Sequence, residues 1–196
     1  MRTRDENKEQ TLRDKAIEMI VQEGFDGLSM QKLAKAANVS PATIYIYWKD
    51  REDLILQLYV EVNAKMTKTF LNDFDPTMSF ADGMEVQWKN RAKYFLEHPM
   101  ETRFAEQIKH SPFYGKALNM QSPEFKNAMG QFIANAIERK ELIRVPFEAF
   151  WSIAYAPLYQ LMKYHSQGKN HLNEDFALND SIMAQTLRLV IKALTP

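Results

Sequence analysis

Between Gly27 and Lys49 the chain carries three lysines, Lys32, Lys35 and Lys49, and not one carboxylate. Interleaved with them are the hydroxyls of Ser29, Ser40, Thr43, Tyr45 and Tyr47. Ammonium groups, hydroxyls and helix N-termini are the groups that bond phosphate oxygens, and they set orientation and most of the sequence-independent affinity for nucleic acid. Reading of bases falls to side chains on an inserted element. With residues 41–48 taken as a helix at about 100° per residue, Ile44 and Trp48 share one side and turn inward. Ala42 and Ile46 point directly away, with Thr43, Tyr45 and Tyr47 on the flanks. A solvent-facing Ile46 suits the methyl groups of thymine in a major groove. The candidate DNA-binding set is therefore Ser29, Lys32, Ser40, Pro41, Ala42, Thr43, Tyr45, Ile46, Tyr47 and Lys49.

The rest of the composition narrows the function by exclusion. Formal charge is zero over 196 residues, and the first 53 hold slightly more acids than bases, so any affinity for DNA comes from a local patch. With no cysteine there is no disulfide, thiol chemistry or Cys-ligated zinc. The four histidines, His98, His110, His165 and His171, lack metal-ligand spacing, and no nucleophile elbow, phosphate loop or dinucleotide glycine pattern is present. No enzyme, metal or cofactor is expected. The polar opening MRTRDENKEQ has no apolar stretch of the secretory type, which leads to an expectation of a cytoplasmic protein. The one long apolar run, 149–162, contains Pro157 and falls short of the roughly 20 residues that a membrane span needs.

The elements that must position the patch are helical. Leu12, Ala16, Ile17, Ile20 and Val21 form one stripe on a helix over 8–23, which Gly24 stops. Ser29 caps a second helix with Met30, Leu33, Ala34 and Ala37 on one face, and Asn38 leaves it in a left-handed conformation. Ser40 and Pro41, an N-cap with a first-turn proline, start a third helix at once. Two short helices so briefly linked predict a helix-turn-helix. Asp50 caps a connector that runs towards Leu71, and a pattern break at 72–79 separates a small head from a larger helical body. The division is drawn as a head over 1–53 and a body over 54–196. In the body, helices are expected at 80–97, 100–109, 123–140, 146–167 and 179–195, with a polar loop over 168–180. The fold class is all-α, with about nine helices and no strand.

Two roles are open to the body's apolar residues. Trp88, Phe95, Phe104, Phe113, Phe132, Tyr155 and Tyr159 are candidates to line a pocket for a small lipophilic or aromatic effector, beside a kink at Pro157. Aromatics at helical spacing are more often plain core. Leu158, Met162 and His165, with Ile182, Leu187, Val190, Ile191 and Leu194, are candidates for a homodimer interface, or for the core of a monomer.

The stretch from Leu28 to Leu54 resembles the DNA-binding head of the TetR family of regulators. The likeness rests on the helix end at Ala34 to Ala37, Val39-Ser40, Thr43-Ile44-Tyr45, an aromatic before Lys49, and Glu52 to Leu54. It departs at Asn38, where glycine is common, and at Trp48, where phenylalanine is. The resemblance implies an all-helical homodimer with an N-terminal DNA-binding head, a ligand-binding body and an interface made by the last two long helices. It places the positions of Pro41, Ala42 and Tyr45 near bases, and those of Thr43, Tyr47 and Lys49 near phosphates. The expected function is a ligand-relieved repressor that binds a palindromic duplex operator. A helical adaptor docking a partner protein on the same head surface is the alternative.

Overall fold

The computed structural model describes residues 6–196. In chain order its helices are α1 (Glu6–Glu23), α2 (Met30–Ala36), α3 (Pro41–Ile44), α4 (Arg51–Phe70), α5 (Phe80–Glu97) and α6 (Pro99–Lys109). There follow α7 (Tyr114–Leu118), α8 (Glu124–Glu138), α9 (Phe147–Ala154), α10 (Ala156–Gln167) and α11 (Asp180–Leu194). Among the described residues the only β-type pairing is an isolated bridge between Lys169 and Asp175. The packing divides into two compact units that do not follow chain order: one holds residues 6–66 and 98–122, the other 67–97 and 123–196.

In the first unit α1 buries Leu12, Ala16, Ile17 and Ile20, the stripe that its three- and four-residue spacing dictates. Gly24 ends the helix at φ 75°, its N–H still bonded to the Ile20 carbonyl at 2.9 Å. A side chain there would strain the backbone. Leu33, Ile44, Trp48, Leu54 and Leu58 close over this stripe, joined by Phe104 and Ile108 of α6. Gln107 of α6 donates to the Val21 carbonyl at 3.2 Å. Phe104 therefore belongs to the core that supports α2 and α3, and Phe113 stacks at a tilt on Phe25, 5.3 Å between centroids. The short α7, which has neither a polar N-cap nor a long apolar stripe to announce it, is held by burying Ala117.

The second unit gathers Phe80, Met84 and Trp88 of α5, Phe132 of α8, Phe150 and Tyr155, Leu158 and Met162 of α10, and Leu187, Val190 and Leu194 of α11. The helix expected over 146–167 is two helices, not one with a kink. Tyr155, at φ −125° and ψ −26°, breaks it, and Pro157 sits in the first turn of α10, where its missing N–H costs nothing. A carbonyl left free by the break is that of Ala154. It is taken by the Trp88 indole N–H at 2.9 Å, so the protein satisfies it internally.

Candidate nucleic-acid interface

Each part of the head surface is placed by a local rule. The Ser29 side chain accepts the Lys32 N–H at 3.1 Å and caps α2. Asn38, at φ 53°, follows that helix, and the Val39 N–H returns to the Ala34 carbonyl at 2.9 Å, which turns the chain within three residues. Pro41 then opens α3. At the far end Asp53 N–H donates to the Asp50 carboxylate at 2.9 Å while the Asp53 carboxylate accepts the Lys49 N–H at 2.8 Å. These two bonds hold the backbone from Lys49 to Asp53 at the mouth of α4.

The helix expected over 41–48 is regular only through Ile44. Beyond it the Ile46 N–H bonds Thr43 and the Tyr47 N–H bonds Ile44, at 3.2 and 2.9 Å, both three residues back. Tightened to three residues per turn, position 47 eclipses position 44 instead of falling on the flank. Tyr47 is accordingly only 7% exposed, against the flank reading, and its ring leans on Trp48 at 5.5 Å. Ile44 and Trp48 point inward as expected. Tyr45 and Ile46 stand out, 55% and 37% exposed, beside a hydroxyl pair made by Ser40 and Thr43 at 2.9 Å. Ala42 and Lys49 are exposed as well.

Electrostatically the surface is mixed at its edge. Lys32 meets Glu23 at 3.4 Å, both well exposed, an arrangement that water and salt screen easily and that a phosphate can replace. Glu52, next to the patch in sequence, is paired with Lys116 of α7. One positioning residue escaped the sequence reading: Arg51 donates from Nε to the Leu28 carbonyl at 2.8 Å and from its other arm to the Phe25 carbonyl. It ties the turn before α2 to the start of α4. The available signal was its position, because a cation in the first turn of a helix opposes the macrodipole and needs another reason to be there.

The body candidates separate. Trp88, Phe132 and Tyr155 are buried in the second unit, Phe95 is half-buried, and Tyr159 is exposed on α10, whereas Phe104 and Phe113 lie in the first unit. A groove of about 650 Å³ between α5 and α11 is lined by Trp88, Met183, Leu187 and Ile191 and rimmed by Glu85, Lys89 and Arg188. Of the interface candidates, Leu158, Met162, Leu187, Val190 and Leu194 face the core, Ile182 and Ile191 are half-buried, and His165 accepts the Leu178 N–H at 3.1 Å through Nδ1. The large apolar residues that α9 to α11 leave outward are Phe147, Ile153, Tyr159 and Leu189. Among the described residues no three metal-ligating side chains converge, and no helix is long and apolar enough to cross a membrane.

Residues 12–58 match the family model for bacterial regulatory proteins of the tetR family. An uncharacterized HTH-type transcriptional regulator of Haemophilus influenzae is 38% identical over 81 residues, 41% of this chain and 43% of that protein. The fatty acid metabolism regulator protein of Bacillus subtilis is 40% identical over 48 residues, 24% of this chain and 25% of that protein. The chain thus matches less than half the length of these curated relatives. A solved TetR family transcription regulator from Marinobacter aquaeolei VT8 is similar throughout, with a TM-score of 0.73, 27% identity, and 99% of this chain and 98% of that chain covered.

Proposed function

We propose, from the match of residues 12–58 to the family model for bacterial regulatory proteins of the tetR family and the likeness of the whole chain to a solved TetR family regulator, that this chain is a cytoplasmic repressor that binds a palindromic duplex operator as a homodimer and lets go when an effector binds. One observation carries the DNA reading. Tyr45 and Ile46 are presented together at the tip of a two-helix turn, with exposed Lys49 and the Ser40–Thr43 hydroxyls around them. An apolar tip with a cationic, hydroxylated rim suits a groove whose floor carries thymine methyls and whose walls carry phosphates. Lys32, Lys35 and Lys49 supply orientation through phosphates.

Dimerisation through α10 and α11 is supported by the exposed Tyr159 and Leu189 on those helices. Half-site recognition by two heads requires operator symmetry to mirror protein symmetry. The effector acts on the second unit, and α4 carries its influence to the first, since its residues contribute to both. Induction is then a population shift between conformations with different operator affinity.

The experiment is selection of purified protein on random duplex DNA, followed by affinity measurements at two salt concentrations. An enriched inverted repeat whose binding weakens steeply with salt supports the reading. No enriched sequence and salt-insensitive capture of protein would favour the adaptor.

A further inference from the structure

Arg91 of α5 is a cation without a counter-charge. It is 2% exposed, and among the described residues no carboxylate pairs with it. Its Nη1 donates to the Tyr159 hydroxyl at 2.6 Å, Nη2 reaches the Gln87 side-chain oxygen only at 3.3 Å, and Nε has no partner. Gln87 is itself buried and held by donating to the Phe70 carbonyl at 2.6 Å. Four rings surround the guanidinium, Tyr155 at 4.2 Å, Phe70 at 4.4 Å, and Phe125 and Trp151 at 5.2 Å. The Tyr155 hydroxyl is buried beside the guanidinium, whose charge it feels, and makes no well-formed hydrogen bond. Ring faces attract the cation but cannot satisfy its in-plane N–H groups.

An arginine keeps its charge wherever it is placed, so a buried one is expected to be paired. Here the edge formed by Nε and Nη2, which a carboxylate meets side-on through two parallel hydrogen bonds, is held by a single long bond. We propose that Arg91 and Tyr155 bind the carboxylate of an apolar monocarboxylic acid, which is the effector of the second unit. One negative charge balances one guanidinium, whereas a phosphate dianion would leave net charge among aromatic rings and a neutral ligand would leave the cation uncompensated. Burial pushes the Tyr155 phenol up to about 12, so at neutral pH it is a donor to the anion. The aromatic surround receives the apolar body, and Gln87 is a positioning residue for the guanidinium. This inference rests on reading the second unit as the effector domain.

The test compares octanoate and benzoate with octanamide and benzamide, using the shift in Tm of the full chain. Each acid is expected to raise Tm of the wild type more than its amide, and Arg91→Met is expected to abolish that difference. Unliganded Arg91→Met should melt no lower than wild type, because it removes an uncompensated buried charge, whereas a purely structural arginine would take stability with it. Should Arg91→Met fail to fold, Tyr155→Phe, which deletes only the hydroxyl oxygen, must weaken acid binding at least threefold. If neither acid outperforms its amide, or if Arg91→Met responds as wild type does, the proposal is overturned. An acid that binds through Arg91 but leaves operator affinity unchanged upholds the anion site and overturns ligand relief.

Discussion

Arg51 Nε donates to the backbone carbonyl of Leu28 at 2.8 Å, across 23 residues of sequence, and the same guanidinium reaches the Phe25 carbonyl. The contact fixes the entry to α2 against the entry to α4, so the two ends of the helix-turn-helix are held by one side chain. Arg51→Ala leaves two partly buried carbonyls without their charged donor. It should lower the unfolding free energy by about 2 kcal/mol, within the range for hydrogen bonds to charged groups. Urea unfolding, read as a shifted midpoint at constant slope, measures it. Operator affinity should fall as well, since the head loses its register.

Tyr45, Ile46 and Lys49 predict a different pattern, with affinity changed and stability kept. Tyr45→Ala and Ile46→Ala each remove an exposed side chain and should weaken the selected operator about tenfold, or about 1.4 kcal/mol, while leaving stability within about 0.5 kcal/mol. Lys49→Ala should weaken operator and shuffled DNA alike and reduce the slope of log affinity against log salt by about 0.9. Binding isotherms at several salt concentrations separate the two classes. Equal losses on both DNAs for Ile46→Ala would remove it from base reading.

How much of this was legible depended on whether the cause was local. Ser29, Asn38, Pro41 and Asp50 are legible because each meets a requirement of its own backbone, a cap, a left-handed turn or a first helical turn. Tyr47 reads as a flank residue at a regular helical step, but the tightening after Ile44 turns it inward. Pro157 announced a disturbance, but the break falls at Tyr155, where the Trp88 indole compensates from a distant helix. Phe104 looked like a body residue because chain order hides which unit α6 packs in. Arg91 was invisible for the opposite reason: within Lys89-Asn90-Arg91-Ala92-Lys93 it reads as one more solvated charge.

Gly83 sets helix propensity against packing. Alanine in the interior of a helix is favoured over glycine by about 1 kcal/mol, so Gly83→Ala in α5 would ordinarily stabilise. A Cβ at this position falls 2.5 Å from Phe132 Cζ. Phe132 cannot retreat, being held edge-on by Phe74 at 5.2 Å and stacked by Phe80 at 6.0 Å. Overpacking costs about 1–3 kcal/mol, and the net effect should be destabilising by about 1 kcal/mol. A double-mutant cycle with Phe132→Leu checks the cause, because the smaller ring-free side chain should restore most of the loss.

Tyr155 and Tyr59 make the protein sensitive to alkali. Burial is the main cause that pushes each phenol up to about 12, from an ordinary value near 10. The folded state therefore holds both protons after the unfolded chain has lost them. Their contribution to stability is complete below pH 10 and declines as pH rises from there through about 12. Tyrosinate absorbance during a pH titration should show these two rings ionising only as the fold opens. Tyr155→Phe cannot ionise in either state, so its stability should fall less steeply than wild type over the same range. An equal slope in the two proteins would mean that the Tyr155 hydroxyl is not buried from solvent.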